Sequence, residues 1–205
     1  MVKVKICGLT NLEDAKAAAD LGADYLGFIF YPPSPRYISP EGAFEILKEL
    51  PSSVKKVAVV VNADYELLKK LLNGGFDLIQ LHGDETPEIL KKVPASRVIK
   101  VFRVRDNFDK NLLKDWENTY ALLLDTYKKG TYGGTGETFN WSIAKELVEE
   151  GFKIFLSGGL TPQNVKSAIE KVKPYAVDVS SGVEAYKGKK DLNKLKEFIS
   201  LAKSV

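Results

Sequence analysis

The chain holds one cysteine and one histidine in 205 residues. A single thiol excludes any internal disulfide. Cys7 and His82 together are too few for a multi-cysteine or histidine-rich metal site, so no metal is expected. Methionine occurs only at position 1 and glutamine only at positions 80 and 163, while Lys and Glu are abundant. That balance leans toward a heat-adapted source. No uninterrupted apolar run approaches the length of a membrane span. Lys3 and Lys5 break up the first nine residues, where a secretory signal would need an apolar stretch. A cytoplasmic chain with no membrane partner is the expectation. Neither sign of charge dominates: 30 basic and 27 acidic residues leave a net +3. Such an excess favours small anions weakly and gives no footprint for nucleic acid. There is no linker, no low-complexity tract and no G-x-G-x-x-G after the first strand-like run.

What the chain does contain is a repeating alternation. Eight short apolar runs read as strands: 2–6, 24–30, 55–61, 76–81, 97–102, 120–125, 153–158 and 175–181. Between and after them lie helix-patterned stretches at 11–21, 40–50, 64–73, 86–93, 107–116, 141–150, 162–172 and 191–203. Asn11 is placed to cap the first helix. Ser39 before Pro40 and Thr161 before Pro162 each pair an N-cap residue with proline at the first helical position. Alternating strand–helix units demand a parallel sheet with right-handed crossovers. Eight of them can close on themselves and leave no edge strand. An open doubly wound sheet competes, but usually has fewer strands. The expected fold is α/β, a (β/α)8 barrel in one domain over residues 1–205, with 44% hydrophobic residues to fill it.

In such a barrel the functional groups stand where strands end. Two loops carry an anion-binding pattern, FLSGGLTPQNV after strand seven and VDVSSGVE after strand eight. Glycines let backbone N–H groups approach a phosphate closely, and loops seven and eight are where these barrels often hold one. Cys7 ends the first strand. Side chains alternate along a strand, so Lys3, Lys5 and Cys7 share one face while Val2, Val4 and Ile6 share the other. The apolar side suits the helical shell, which turns Lys5 and Cys7 inward, with Cys7 at the rim. A cation beside a thiol lowers its pKa and favours thiolate. Asp125 follows three leucines, and a carboxylate there needs a partner or a function. Asp178 and Lys5 both point inward by the same alternation and are expected to form a buried, structural ion pair. Gly133-Gly134-Thr135-Gly136 reads as a lid over the rim. His82 and Gln80 stand at the end of strand four with no role assigned.

Taken in order, KICGLTN, GFIFYPPSPRYISP, QLHG, LLLDT with GGTGETFNW, LSGGLTPQNV and VDVSSGVE resemble the phosphoribosylanthranilate isomerase family from end to end. The resemblance implies a TIM barrel and an aldose–ketose isomerase of tryptophan biosynthesis that needs no cofactor. It implies an Amadori rearrangement of N-(5-phosphoribosyl)anthranilate to 1-(2-carboxyphenylamino)-1-deoxyribulose 5-phosphate. It places the general base on Cys7 and the general acid on Asp125, whose protonated form requires that burial raise its pKa. The phosphate is expected on the backbone of Gly158, Gly159, Ser181 and Gly182. Arg36, in a loop stiffened by Pro32, Pro33 and Pro35, is expected to grip the anthranilate carboxylate. The partner is then a small phosphorylated molecule, and the chain a monomer or homodimer. Other readings are a barrel isomerase acting on an imidazole precursor, which would use two aspartates, an indole-forming synthase of longer chain, and a non-catalytic phosphate-ligand-binding barrel.

Overall fold

The computed structural model describes residues 1–105, 108–126 and 140–205. Eight parallel strands close into a barrel in chain order: β1 (Lys3–Ile6), β2 (Tyr25–Ile29), β3 (Lys55–Val60), β4 (Leu78–Leu81), β5 (Val98–Val104), β6 (Ala121–Thr126), β7 (Ile154–Leu156) and β8 (Ala176–Val179). Strand β8 pairs back onto β1, so no edge is left open. Each expected strand is found, with its ends shifted by a residue or two; the fifth and sixth run further at their C-terminal ends, to Val104 and Thr126, and the others are shorter.

Around the barrel run α1 (Leu12–Asp20), α2 (Pro40–Lys48), α3 (Tyr65–Asn73), α4 (Trp141–Glu149), α5 (Val165–Val172) and α6 (Leu192–Lys203). Asn11 caps α1 by accepting the Asp14 N–H at 2.9 Å, and Ser39 caps α2 by accepting the Gly42 N–H at 3.2 Å. The third expected cap is corrected. Helix α5 begins at Val165, not after Thr161, because Asn164 folds its amide back over the preceding turn. Its Oδ1 accepts the Thr161 N–H at 2.8 Å and its Nδ2 donates to the Gly159 carbonyl at 2.9 Å. Two other expected helices, 86–93 and 107–116, are 3-10 turns at Pro87–Lys91 and Lys110–Trp116. The first is confined between Pro87 and Pro94, and proline cannot continue a helix. The second buries Leu113 and Trp116, whose three-residue spacing stacks them on one side of a 3-10 turn. No helix among the described residues is long and apolar enough to cross a membrane.

One element has no counterpart in the sequence reading. After β8 the chain forms an antiparallel hairpin, β9 (Glu184–Tyr186) and β10 (Lys189–Lys190), turning through Gly188 at φ 87°. Lys187-Gly188 between two short runs is the signal that marks it.

The apolar core is divided by the barrel wall. One cluster, including Val4, Ile6, Leu26 and Leu124, lies between strands and helices. The other, including Tyr25, Val57, Ile99, Leu123 and Phe155, fills the barrel itself. At the lower end the Tyr25 hydroxyl stands 2.7 Å from that of Tyr120 and 3.3 Å from that of Tyr175. Above the apolar layer sits the expected ion pair: Lys5 Nζ is 2.8 Å from Asp178 Oδ1, with Lys5 wholly buried. The two residues are cross-strand neighbours on β1 and β8. Gly27 makes room for them, since a Cβ there would stand 2.9 Å from Cys7 Sγ and 3.2 Å from Lys5 Nζ.

Removing one partner of a buried pair strands the other charge, at a cost of about 3–5 kcal/mol. Lys5→Met is expected to lower the unfolding free energy by that amount in urea titrations; a variant as stable as wild type contradicts this account of the barrel interior.

Candidate active site

At the C-terminal end of the barrel a cavity of about 60 Å³ is bounded by the last inward residues of several strands and their loops, among them Cys7, Arg36, Gln80, His82, Asp125, Ser157, Asp178 and Ser180. Strand alternation brings them there: Leu123 lies in the inner cluster and Leu124 in the outer one, so Asp125 turns inward again.

Cys7 follows β1 directly. Its N–H donates to the Val179 carbonyl at 2.9 Å, and its own carbonyl accepts from Lys190 Nζ at 2.7 Å. Lys190 also donates to the Ser180 carbonyl at 3.1 Å, tying the ends of β1 and β8 together. The sequence expectation for the thiol is corrected here. Burial pushes the Cys7 thiol up and outweighs the Lys5 ammonium, which pulls it down; Asp178 adds to the rise. The net position is above the ordinary cysteine value. Lys5 itself is disfavoured by burial, but Asp178 and Cys7 together hold it above the usual lysine range. Burial likewise pulls Lys190 below that range despite its contact with Glu184.

Asp125 is 5% exposed on β6. Its Oδ1 accepts the Thr126 N–H at 2.8 Å. Its Oδ2 stands 3.4 Å from His82 Nε2, an approach without a hydrogen bond.

Arg36 is buried at the cavity wall, and one edge of its fork is already engaged. Its Nε lies 2.7 Å from Glu184 Oε1 and its Nη2 lies 2.8 Å from Oε2. Glu184 belongs to the hairpin, so β9 orients the guanidinium as much as the proline-rich loop does. The Glu184 hydrogen bonds raise Arg36 above even its ordinary value. Burial would lift Glu184, but Arg36 and Lys190 outweigh it and hold the carboxylate below its usual range. The opposite edge, Nη1 with the second Nη2 hydrogen, is a second fork that a planar carboxylate can meet. Gly8 allows the arginine to pass: at φ 75°, a Cβ there would sit 2.6 Å from Arg36 Cδ.

The glycine-rich loops lie at the cavity's edge. The cavity reaches Ser157 and Ser180, one residue before each loop's expected phosphate contacts. Gly158 and Gly159 adopt φ 84° and 64°, open to glycine at little strain. A Cβ on Gly182 would meet the Leu160 carbonyl oxygen at 2.0 Å, so the two loops interlock there. The expected lid at Gly133–Gly136 lies outside the described residues.

A larger cleft of about 720 Å³ is lined by residues within 83–87, 100–105 and 108–116. It contains neither Cys7 nor Asp125. Its one buried cation, Lys100, is spent on Glu85 at 2.7 Å and on the Gly83 carbonyl at 2.9 Å. The smaller cavity is where the reactive groups converge. Sequence reasoning had Ser157 and Ser180 at strand ends; it missed Glu184 and Lys190, which hold Arg36 and the Cys7 carbonyl from the hairpin.

The family model described as N-(5'phosphoribosyl)anthranilate (PRA) isomerase matches residues 4–201. The N-(5'-phosphoribosyl)anthranilate isomerase of Aquifex aeolicus (strain VF5) is 64% identical over 205 residues, covering 100% of both chains. The crystal structure of phosphoribosyl anthranilate isomerase from Thermotoga maritima matches with a TM-score of 0.91 at 45% identity, over 100% of both chains. A phosphoribosyl anthranilate isomerase in complex with reduced 1-(o-carboxyphenylamino)-1-deoxyribulose 5-phosphate matches at 0.86 and 42%, again over 100% of both.

Since Cys7 is the chain's one thiol, its ionisation can be read cleanly by alkylation. The rate with iodoacetamide follows the thiolate fraction, so it is expected to keep climbing beyond pH 9, and to need still higher pH in Lys5→Met, where the opposing cation is gone. A plateau below pH 8 contradicts the dominance of burial.

Proposed function

The chain belongs to the N-(5'-phosphoribosyl)anthranilate isomerase family, and from that premise we propose how its own residues carry the reaction. The enzyme catalyses the Amadori rearrangement of N-(5'-phosphoribosyl)anthranilate to 1-(2-carboxyphenylamino)-1-deoxyribulose 5-phosphate in tryptophan biosynthesis, an aldose–ketose isomerisation. The observation that carries the assignment of roles is that Cys7, from strand one, and Asp125, from strand six, line one cavity.

The furanose must first open. Asp125, as the carboxylic acid, gives its proton to the ring oxygen while the C1–O bond breaks and the amine nitrogen's lone pair forms an iminium at C1. The iminium acidifies the C2 proton. Cys7 thiolate takes that proton, and the electron pair of the C–H bond neutralises the iminium, giving an enolamine. Protonation at C1 and loss of the hydroxyl proton at C2 yield the ketone. The active form pairs a thiolate with a carboxylic acid. It carries the same net charge as a thiol with a carboxylate, so one proton redistributed between two groups prepares the site. Two such groups kept in separate surroundings, one over a lysine and one over a backbone N–H, divide the acid and base work.

Binding follows from the remaining groups. The free edge of Arg36 takes the anthranilate carboxylate. The N–H groups of Gly158, Gly159, Ser181 and Gly182 take the phosphate. Holding both ends fixes the sugar between acid and base, which is where an oriented pair gains most. By this reading the chain works in the cytoplasm on a small phosphorylated substrate, as a monomer or homodimer.

Turnover is followed by loss of the substrate's anthranilate fluorescence. Cys7→Ser and Asp125→Asn are each expected to lower kcat by about 10²–10⁴-fold, the usual worth of a positioned acid or base. Arg36→Lys is expected to raise KM, since an ammonium cannot replace the second fork. Unchanged turnover in both Cys7→Ser and Asp125→Asn refutes the assignment.

A further inference from the structure

Four buried side-chain polar atoms among the described residues have no hydrogen-bond partner: Gln80 Oε1, His82 Nε2, Ser180 Oγ and Trp141 Nε1. Three of them belong to residues that line the active-site cavity. Buried polar groups are almost always satisfied, so orphans gathered at one cavity mark groups kept for a partner that arrives during the reaction.

Two of the three are linked. Gln80 Nε2 lies 3.3 Å from His82 Nδ1, and Gln80 is 1% exposed on the same inward face of β4. With the amide nitrogen turned toward the ring, as the structure places it, Gln80 donates and Nδ1 accepts. The neutral ring then carries its proton on Nε2. That N–H faces Asp125 Oδ2 across 3.4 Å. The other carboxylate oxygen, Oδ1, already accepts the Thr126 N–H at 2.8 Å, so a proton held by Asp125 sits on Oδ2.

We propose that Gln80 and His82 are a positioning pair for Asp125, in which Gln80 fixes the Nε2–H tautomer of His82 and His82 donates to Oδ2 as the acid gives up its proton. In that step the Oδ2–H bond breaks as the bond from hydrogen to the sugar ring oxygen forms. The electron pair left on Oδ2 draws in the Nε2–H, closing the gap to hydrogen-bonding distance. The imidazole stays neutral throughout and neither gains nor loses a proton. While Asp125 holds the proton, Oδ2 donates toward substrate and Nε2–H waits unpaired; the structure shows the two atoms 3.4 Å apart with no hydrogen bond between them. The pair therefore favours the carboxylate formed in the transition state over the acid in the ground state, which acts on kcat more than on KM. This role rests on the reading of Asp125 as the general acid.

His82 is the only histidine in the chain, so its two ring nitrogens can be read directly by NMR of protein labelled with ¹⁵N-histidine. Wild type is expected to show the Nε2–H tautomer. Gln80→Glu replaces a donor with an acceptor of the same shape, and should move the proton to Nδ1 and lower kcat by about ten- to a hundredfold, the worth of one hydrogen bond to a charge. Gln80→Met should give mixed tautomers and a smaller loss, with KM nearly unchanged in both. The same spectra report whether each variant is folded. A wild-type Nδ1–H tautomer overturns the proposal. So does a tautomer that moves while kcat does not. If instead Asp125→Asn turns over normally, it is the assignment of the acid that fails, a result that the histidine spectra leave distinct.

Discussion

A charged pair sealed inside an apolar tube governs how this barrel is built. Lys5 and Asp178 face each other from neighbouring strands at 2.8 Å, at the floor of the cavity that Asp178 helps to line and above a layer of packed apolar and tyrosine side chains. Neither ion is tolerable there alone. Their presence requires β1 and β8 to keep one register, and that register sets Cys7 one step above Lys5 and Ser180 one step above Asp178 along the inward face. Gly27 belongs to the same constraint, because any side chain on it would fill the space that the thiol and the ammonium occupy. The reactive end of the barrel thus inherits its geometry from a charge pair rather than from the apolar core below.

The same pair shapes the electrostatics. Lys5 pulls the Cys7 thiol down, yet burial and the Asp178 charge leave it above its ordinary value. A buried thiol that ionises reluctantly is protected when the cavity is empty, and its thiolate is a correspondingly strong base when formed. The hairpin β9–β10 plays a comparable bracing part. Its Glu184 occupies one edge of the Arg36 fork and its Lys190 anchors the Cys7 carbonyl, so Arg36 and the Cys7 backbone are held by one short element.

Strand alternation made most of the site readable in advance. The two-residue period turned Lys5, Cys7 and Asp178 inward, and Asp125 stood out by the three leucines before it; all four lie inside. The glycine loops after strands seven and eight carried the expectation of a phosphate. What stayed hidden depends on balances or on distant pairing. The sign of the Cys7 shift is a contest between burial and a neighbouring cation, and spacing along a chain does not weigh one against the other. Arg36 and Glu184 are 148 residues apart in sequence, and a glutamate in a short hairpin carries no local mark of that partnership. The proline pair around 87–94 and the two buried residues at 113 and 116 did hold the signal for 3-10 turns, but helical patterning masked it.

The central claim is that one small cavity holds the base and the acid on either side of a single sugar. The most direct measurement is a crystal structure of this chain with reduced 1-(o-carboxyphenylamino)-1-deoxyribulose 5-phosphate bound. The account predicts Cys7 Sγ and Asp125 on opposite sides of the ribulose chain, the carboxylate on the open edge of Arg36 and the phosphate on the amides of Gly158, Gly159, Ser181 and Gly182. A ligand seated in the larger cleft lined by residues 83–87, Lys100 and Trp116, or one that touches only one of the two reactive side chains, contradicts it.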